Sequence, residues 1–194
     1  MARFIPEVEQ RGAVRIVAQH DCILDTKIPV LRVQNVRLQY LLDCSKYYES
    51  LFKSFQAFGV TGTKGKTSIA YGLHKFFSLL GKSSVYIGTL GVCYGRGLHS
   101  SSNTTPGLWQ LIEILQEASR RGVTQVFMEI SSQGLEQHRV PCQMFDQRAF
   151  TDLSPEHLDA HKTMQNYFDA KSKFFDSQYP IKNQDFQTYC LDRS

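Results

Sequence analysis

Phe55-Gln56-Ala57-Phe58-Gly59-Val60-Thr61-Gly62-Thr63-Lys64-Gly65-Lys66-Thr67-Ser68 is the stretch that decides the fold class, together with the Ile69 to Phe77 run that follows it. The apolar residues from Phe55 to Val60 predict a buried strand. A glycine-rich turn comes next, and Thr67 to Phe77 predicts a helix. Strand, glycine turn and helix in that order make a phosphate cradle. Glycines let backbone N–H groups approach an anion, a helix N-terminus adds unpaired donors and a positive dipole end, and Lys66 adds a mobile charge. Gly62, Thr63, Lys64, Gly65, Lys66, Thr67 and Ser68 are therefore candidate nucleotide-binding residues, and the Thr67 hydroxyl is a candidate Mg²⁺ ligand. The strict pattern G-x-x-x-x-G-K-[ST] is not met, since Val60 stands where its first glycine belongs and the nearest upstream glycine is Gly59. The same residues, taken alone, also describe a plain surface turn.

From this stretch onward apolar strands alternate with amphipathic helices. Gly81 closes the first helix, and Ser84 to Gly88 predicts a strand. Leu108, Leu111, Ile112 and Leu115 recur at helical spacing after Pro106, and Gly122 ends that helix. Val123 to Ile130 is apolar almost throughout, as a strand buried on both faces must be. Ala149 to Thr151 reads as a fourth strand and Met164 to Phe175 as a last helix. Upstream, Gly12 to Ala18 and Pro29 to Val33 read as short strands, followed by a helix over Val36 to Phe52. The alternation implies an α/β fold: a partial N-terminal α/β domain (1–54), a P-loop-type, doubly wound central domain (55–176) and an unassigned tail (177–194). In such sheets ligands gather at the carboxyl ends of the strands.

The 194 residues can bury a real core, and 42% hydrophobic with 21% charged residues is ordinary for a soluble chain. The net charge of +4 is spread out, with no basic run that argues for nucleic acid. Five cysteines without metal-ligand spacing read as free thiols in a reducing compartment, and no apolar run is long enough for a membrane span. These features predict a cytoplasmic location, with neither nucleic acid nor membrane as partner.

Five segments in order carry a resemblance: Gly59 to Thr67; Asn103-Thr104-Thr105-Pro106; Met128-Glu129-Ile130-Ser131-Ser132-Gln133-Gly134-Leu135; Gln137-His138-Arg139-Val140; and Phe150 to Asp159, which holds Asp152-Leu153-Ser154-Pro155-Glu156-His157. Together they resemble the Mur ligases of bacterial cell-wall synthesis, and within them the enzymes that make the UDP-muramoyl tripeptide. The similarity runs from about Phe4 to Phe175.

The resemblance implies an ATP- and Mg²⁺-dependent amide ligase, monomeric, whose partners are a UDP-N-acetylmuramoyl dipeptide and a diamino acid, either meso-diaminopimelate or L-lysine. ATP would phosphorylate a carboxylate of the nucleotide substrate, and an amine would attack the acyl phosphate. Lys66, Glu129, His157 and Lys171 are then the catalytic candidates. Thr67, Glu129, His157 and Lys171 are the candidate metal-site residues, with Lys171 at the position that the family converts to a carbamate. Asn103, Thr104, Thr105, Ser131, Gln137 and Arg139 fall at positions that grip the UDP-muramoyl substrate.

Each residue also has a plainer reading. Glu129 could be a strand-end carboxylate in water, His157 and His161 could share a helix face, and Lys171 lies among Lys162 and Lys173 on a polar helix, where it reads as solvated. Arg139 could be a surface arginine, and Asn103 and the threonines could be helix caps before Pro106. The pattern departs from the family at Lys64, usually Asn; at Gln133, usually His; and at Pro155-Glu156, usually Arg-Asp. The chain lacks a counterpart of the family's C-terminal domain, so the expected product is a truncated ligase with little activity of its own, or a fragment that binds nucleotide or UDP-sugar without completing the reaction.

Overall fold

The computed structural model describes residues 4–95 and 97–176, and the backbone of a two-residue strand, Tyr189–Cys190. The 177–194 tail of the sequence reading otherwise lies outside the described residues. The chain divides into two compact units between Asp43 and Cys44.

The first unit holds helix α1 (Ile5–Gln10), which the sequence reading missed, and two short parallel strands, β1 (Ile16–Gln19) and β2 (Val30–Val33). Helix α2 (Val36–Tyr47) begins there and ends in the second unit. The single helix expected over 36–52 breaks at Tyr48 into α2 and α3 (Glu49–Lys53), although the bonds Tyr48 N–H to Cys44 O and Phe52 N–H to Tyr48 O carry the helical ladder across the break.

The second unit is built on a seven-stranded sheet. Its elements are β3 (Gln56–Thr61), α4 (Lys66–Leu79), β4 (Ser84–Gly88), β5 (Gly91–Tyr94), β6 (Gly97–His99), α5 (Leu108–Arg120), β7 (Gln125–Glu129), α6 (Ser132–Glu136), β8 (Gln147–Phe150), α7 (Leu158–His161), α8 (Met164–Ser172) and β9 (Tyr189–Cys190). The strand order is β6-β5-β4-β7-β3-β8-β9. The strands β4, β7, β3, β8 and β9 pair in parallel, which is the expected doubly wound centre. The β4-β5-β6 edge is antiparallel. That edge was not anticipated, because Gly91-Val92-Cys93-Tyr94 is too short to show an alternation. Only Thr89 and Leu90 join β4 to β5, and such a tight connection permits antiparallel pairing alone.

Every residue of β4 is buried, and so are four of the five in β7, consistent with central strands covered on both faces. Leu108, Leu111, Ile112 and Leu115 of α5 are the buried stripe that their spacing predicts. Val60, Ala70, Tyr86, Cys93 and Phe127 form a core cluster ringed by Ile69, Tyr71, Leu73 and Phe77. Burying each large apolar side chain contributes about 1.5–3 kcal/mol. Gly81 and Gly122, at φ +73° and +67°, are the left-handed residues that end α4 and α5.

Candidate functional site

The parallel strands β3, β7, β4 and β8 end near one another, at Thr61, Glu129, Gly88 and Phe150, and the polar side chains collect there. The turn from β3 into α4 depends on two glycines with positive φ, Gly62 at +139° and Gly65 at +83°. A Cβ on Gly62 would collide with the Thr151 hydroxyl, so the turn and the β8 end fit only without a side chain there. The Lys66 ammonium folds back to donate to Gly62 O at 2.9 Å and Thr63 O at 2.7 Å. Burial pulls its pKa down, against the opposing pull of Glu129, Glu156 and Asp152.

Glu129 is fully buried. Its Oε2 accepts from Thr67 Oγ1 at 2.9 Å and Thr89 Oγ1 at 3.0 Å, and its Oε1 accepts from Thr89 N–H at 3.1 Å and from the Tyr86 hydroxyl. Burial, with the carboxylate next, pushes the Tyr86 phenol well above its ordinary range, so it stays a donor. Among the described residues no lysine, arginine or histidine pairs with Glu129. The carboxylate is bound by neutral donors, and the Lys66 charge acts on it without ion-pair contact.

Asp152 follows β8 and clamps the loop. Its Oδ1 accepts from Thr63 N–H at 3.1 Å and Lys64 N–H at 2.7 Å, and its own carbonyl accepts from Thr63 N–H at 3.0 Å. Thr63 and Ser154 exchange two further bonds, at 3.2 and 3.0 Å. Lys171, on α8, is 1% exposed and donates to Gly62 O at 2.7 Å, with its ammonium 4.3 Å from the centre of the Tyr167 ring. Burial and the neighbouring Lys66 charge pull its pKa down to about 7. The solvated reading of Lys171 is thus overturned: the helix turns this lysine inward, onto the loop.

On the other side of Glu129, Thr105 is buried between β7 and α6. Its hydroxyl donates to Glu129 O at 3.0 Å and accepts from Ser131 N–H at 2.8 Å. Ser131 caps α6 by accepting from Gly134 N–H at 3.1 Å. Arg139 is half-buried and donates to Thr105 O at 3.1 Å and to the Gln137 side-chain oxygen, so it is no free surface arginine. Asn103 is exposed, and Thr104 lies 3.1 Å from Thr89. None of these residues caps α5, which begins after Gly107.

A family model for the Mur ligase middle domain matches residues 60–188 of this chain. The chain belongs to the Mur ligase family. The match runs past Phe175, where the resemblance of the sequence faded. Two curated relatives are UDP-N-acetylmuramoyl-L-alanyl-D-glutamate--2,6-diaminopimelate ligases. The one from Corynebacterium glutamicum is 40% identical over 166 residues, covering 86% of this chain and 32% of that protein. The one from Aquifex aeolicus is 34% identical over 179 residues, covering 92% and 36%. A solved structure of a ligase with the same description superposes with TM-score 0.72 at 26% identity, over 90% of this chain and 35% of that one. MurF ligase from Thermotoga maritima in complex with ADP shares the fold, with TM-score 0.51 at 17% identity. The chain spans about a third of the length of these curated relatives.

Within this family frame, the residues singled out in the sequence fall into three groups. Lys66, Thr67 and Glu129 lie together with Gly62, Thr63, Lys64, Gly65 and Ser68 around the turn into α4, and Lys171 reaches the same turn through Gly62 O. Thr105, Ser131, Gln137 and Arg139 form a bonded chain beside them, with Thr104 bonded to Thr89 and Asn103, next to it in sequence, exposed. His157 is exposed at the start of α7, with its ring 6.3 Å from that of Tyr167, the ring that the Lys171 ammonium also approaches. Among the described residues no group of three His, Cys, Asp or Glu side chains could hold a metal ion. His157 and His161 both lie by the Tyr167 ring, at 6.3 and 4.9 Å between ring centres, but differ in exposure. His161 is buried, with its Nε2 2.9 Å from Ser132 Oγ and its Nδ1 3.6 Å from Glu136. Tyr86, Thr89 and Asp152 carry no site role in the sequence analysis; Thr89 and Asp152 lie just past the ends of β4 and β8, the signal that could have found them, whereas Tyr86 sits in the middle of β4.

Proposed function

We propose that this chain carries the nucleotide-binding part of an ATP-dependent ligase that joins a diamino acid, diaminopimelate or L-lysine, to a UDP-N-acetylmuramoyl dipeptide. The observation that carries this reading is the buried Glu129 carboxylate, without a contact ion pair among the described residues, beside the Thr67 hydroxyl at the mouth of a glycine turn that opens a helix. Carboxylate and hydroxyl are hard oxygen donors of the kind Mg²⁺ prefers. Bound between them, the ion would neutralise phosphate charge. Lys66 would move from the carbonyls of Gly62 and Thr63 to phosphate oxygens, and the first-turn N–H groups of α4, which have no intrahelical partner, would hold the remainder. Phosphoryl transfer asks chiefly for such positioning and neutralisation.

In this reading 1–54 contribute to UDP-substrate binding and 55–176 to nucleotide binding. Arg139, with Gln137, Ser131 and Asn103 to Thr105, forms the wall that meets the muramoyl substrate. His157 and Lys171 contribute to a second metal site. The buried amine of Lys171, with its lowered pKa, is partly neutral near pH 7, the form that reacts with carbon dioxide to give a carbamate. A cytoplasmic, monomeric protein is the setting that fits. A second reading is a module that binds nucleotide without ligation, which needs only the glycine turn and Lys66.

Calorimetric titration with Mg-ADP tests the site. We expect binding that needs Mg²⁺, is lost in Lys66→Ala, and becomes indifferent to Mg²⁺ in Glu129→Gln. Undiminished affinity in Lys66→Ala would defeat the proposal. Tripeptide formation from the UDP-muramoyl dipeptide and each diamino acid then separates ligase from binding module.

A further inference from the structure

Asp152 has no part in the reading above, yet its carboxylate takes two of the loop's own amides. The N–H groups of Thr63 and Lys64 precede the Gly65 turn, in one run with the free first-turn amides of α4, and such successive N–H groups make an anion-binding concavity. Asp152 Oδ1 holds both, at 3.1 and 2.7 Å. A carboxylate oxygen and a phosphate oxygen are the same kind of charged acceptor and seek the same donors. Among the described residues no cation is in ion-pair contact with Asp152; the Lys66 and Lys171 charges act on it only from further off. Burial pushes its pKa up, but the bonds from Lys64 N–H, Thr151, Thr63 N–H and Ser154 outweigh that and keep it ionised.

Resting on the nucleotide-binding reading, we propose that Asp152 competes with the nucleotide phosphates for the Lys64 amide and so sets the affinity and selectivity of the loop. A weak monoanion cannot displace a tethered carboxylate, whereas a polyphosphate, gripped at the same time by Lys66 and the α4 amides, can. The backbone carbonyl of Asp152 and the Thr63–Ser154 bonds keep the loop anchored while the carboxylate swings away.

Asp152→Asn separates charge from shape, because the amide oxygen still accepts from both N–H groups but carries no charge. Titration of the full chain with pyrophosphate and with Mg-ADP should show roughly tenfold tighter binding in Asp152→Asn, from the loss of one like charge a few ångströms from the phosphate. Equal or weaker binding in a folded variant would make Asp152 a structural clamp only and overturn the inference, leaving the nucleotide site intact. If neither wild type nor variant binds Mg-ADP, the nucleotide reading falls and this inference falls with it. Should Asp152→Asn fail to fold, ¹⁵N and ¹³C shifts of the wild type decide. Pyrophosphate must move the Lys64 amide and the Asp152 carboxyl carbon, and shifts confined to Gly65 through Ser68 would sink the idea.

Discussion

At the scale of single residues, Lys171 shows how far a lysine can be taken from its ordinary state by its neighbours. It is buried, its hydrogen-bond partner among the described residues is a carbonyl, and Lys66 repels it, so its pKa is pulled down to about 7. In the unfolded chain the same amine titrates near 10.4. Between about pH 7 and 10 the unfolded chain therefore holds a proton that the folded chain has released, and stability rises with pH across that window. Urea unfolding at pH 7, 8.5 and 10 should show a rise of a few kcal/mol in the wild type that is largely absent in Lys171→Met. Equal pH slopes in the two proteins would mean that Lys171 is charged in the folded state. The lysine's position in the family motif was legible, but its burial was not, because polar neighbours in sequence say nothing about which way one turn of a helix faces.

At the scale of elements, the strand-turn-helix of β3 and α4 and the stripe of α5 could be read because each element declares its period locally. The antiparallel edge and the short helix α6 could not. The tie from Ser132 on α6 to His161 on α7 spans 29 residues of chain, and no local pattern announces it. Arg148 on β8 is a similar case: buried, it donates to Phe174 O at 2.8 Å and to Cys142 O at 2.7 Å, fastening the strand to segments on either side of it in sequence. Arg148→Leu keeps much of the bulk but takes the guanidinium from both carbonyls, leaving Cys142 O with the Phe145 N–H alone, at 3.2 Å. The expected cost is about 2–4 kcal/mol, seen as a lower urea midpoint with an unchanged m-value. A loss below about 0.5 kcal/mol would show that water replaces the guanidinium at both carbonyls.

At the scale of the whole molecule, the two units are unequal in what holds them. Cooperative stability follows the buried apolar surface that an element shares with its neighbours, and regions with little of it open separately. In the first unit the buried apolar side chains are Ile5, Ala18 and Leu41, and its sheet is two four-residue strands. In the second, β4 and β7 are buried on both faces and lie inside a seven-stranded sheet. Native-state hydrogen exchange should therefore show the amides of β1 and β2 exchanging through a local opening that denaturant scarcely affects. Those of Val85 to Ile87 and Val126 to Met128 should exchange only on global unfolding. Mg-ADP, which in the proposed reading touches the second unit alone, should slow the β4 and β7 amides by the factor 1 + [L]/Kd and leave β1 and β2 unchanged. Equal slowing in both units would show that they unfold as one cooperative body.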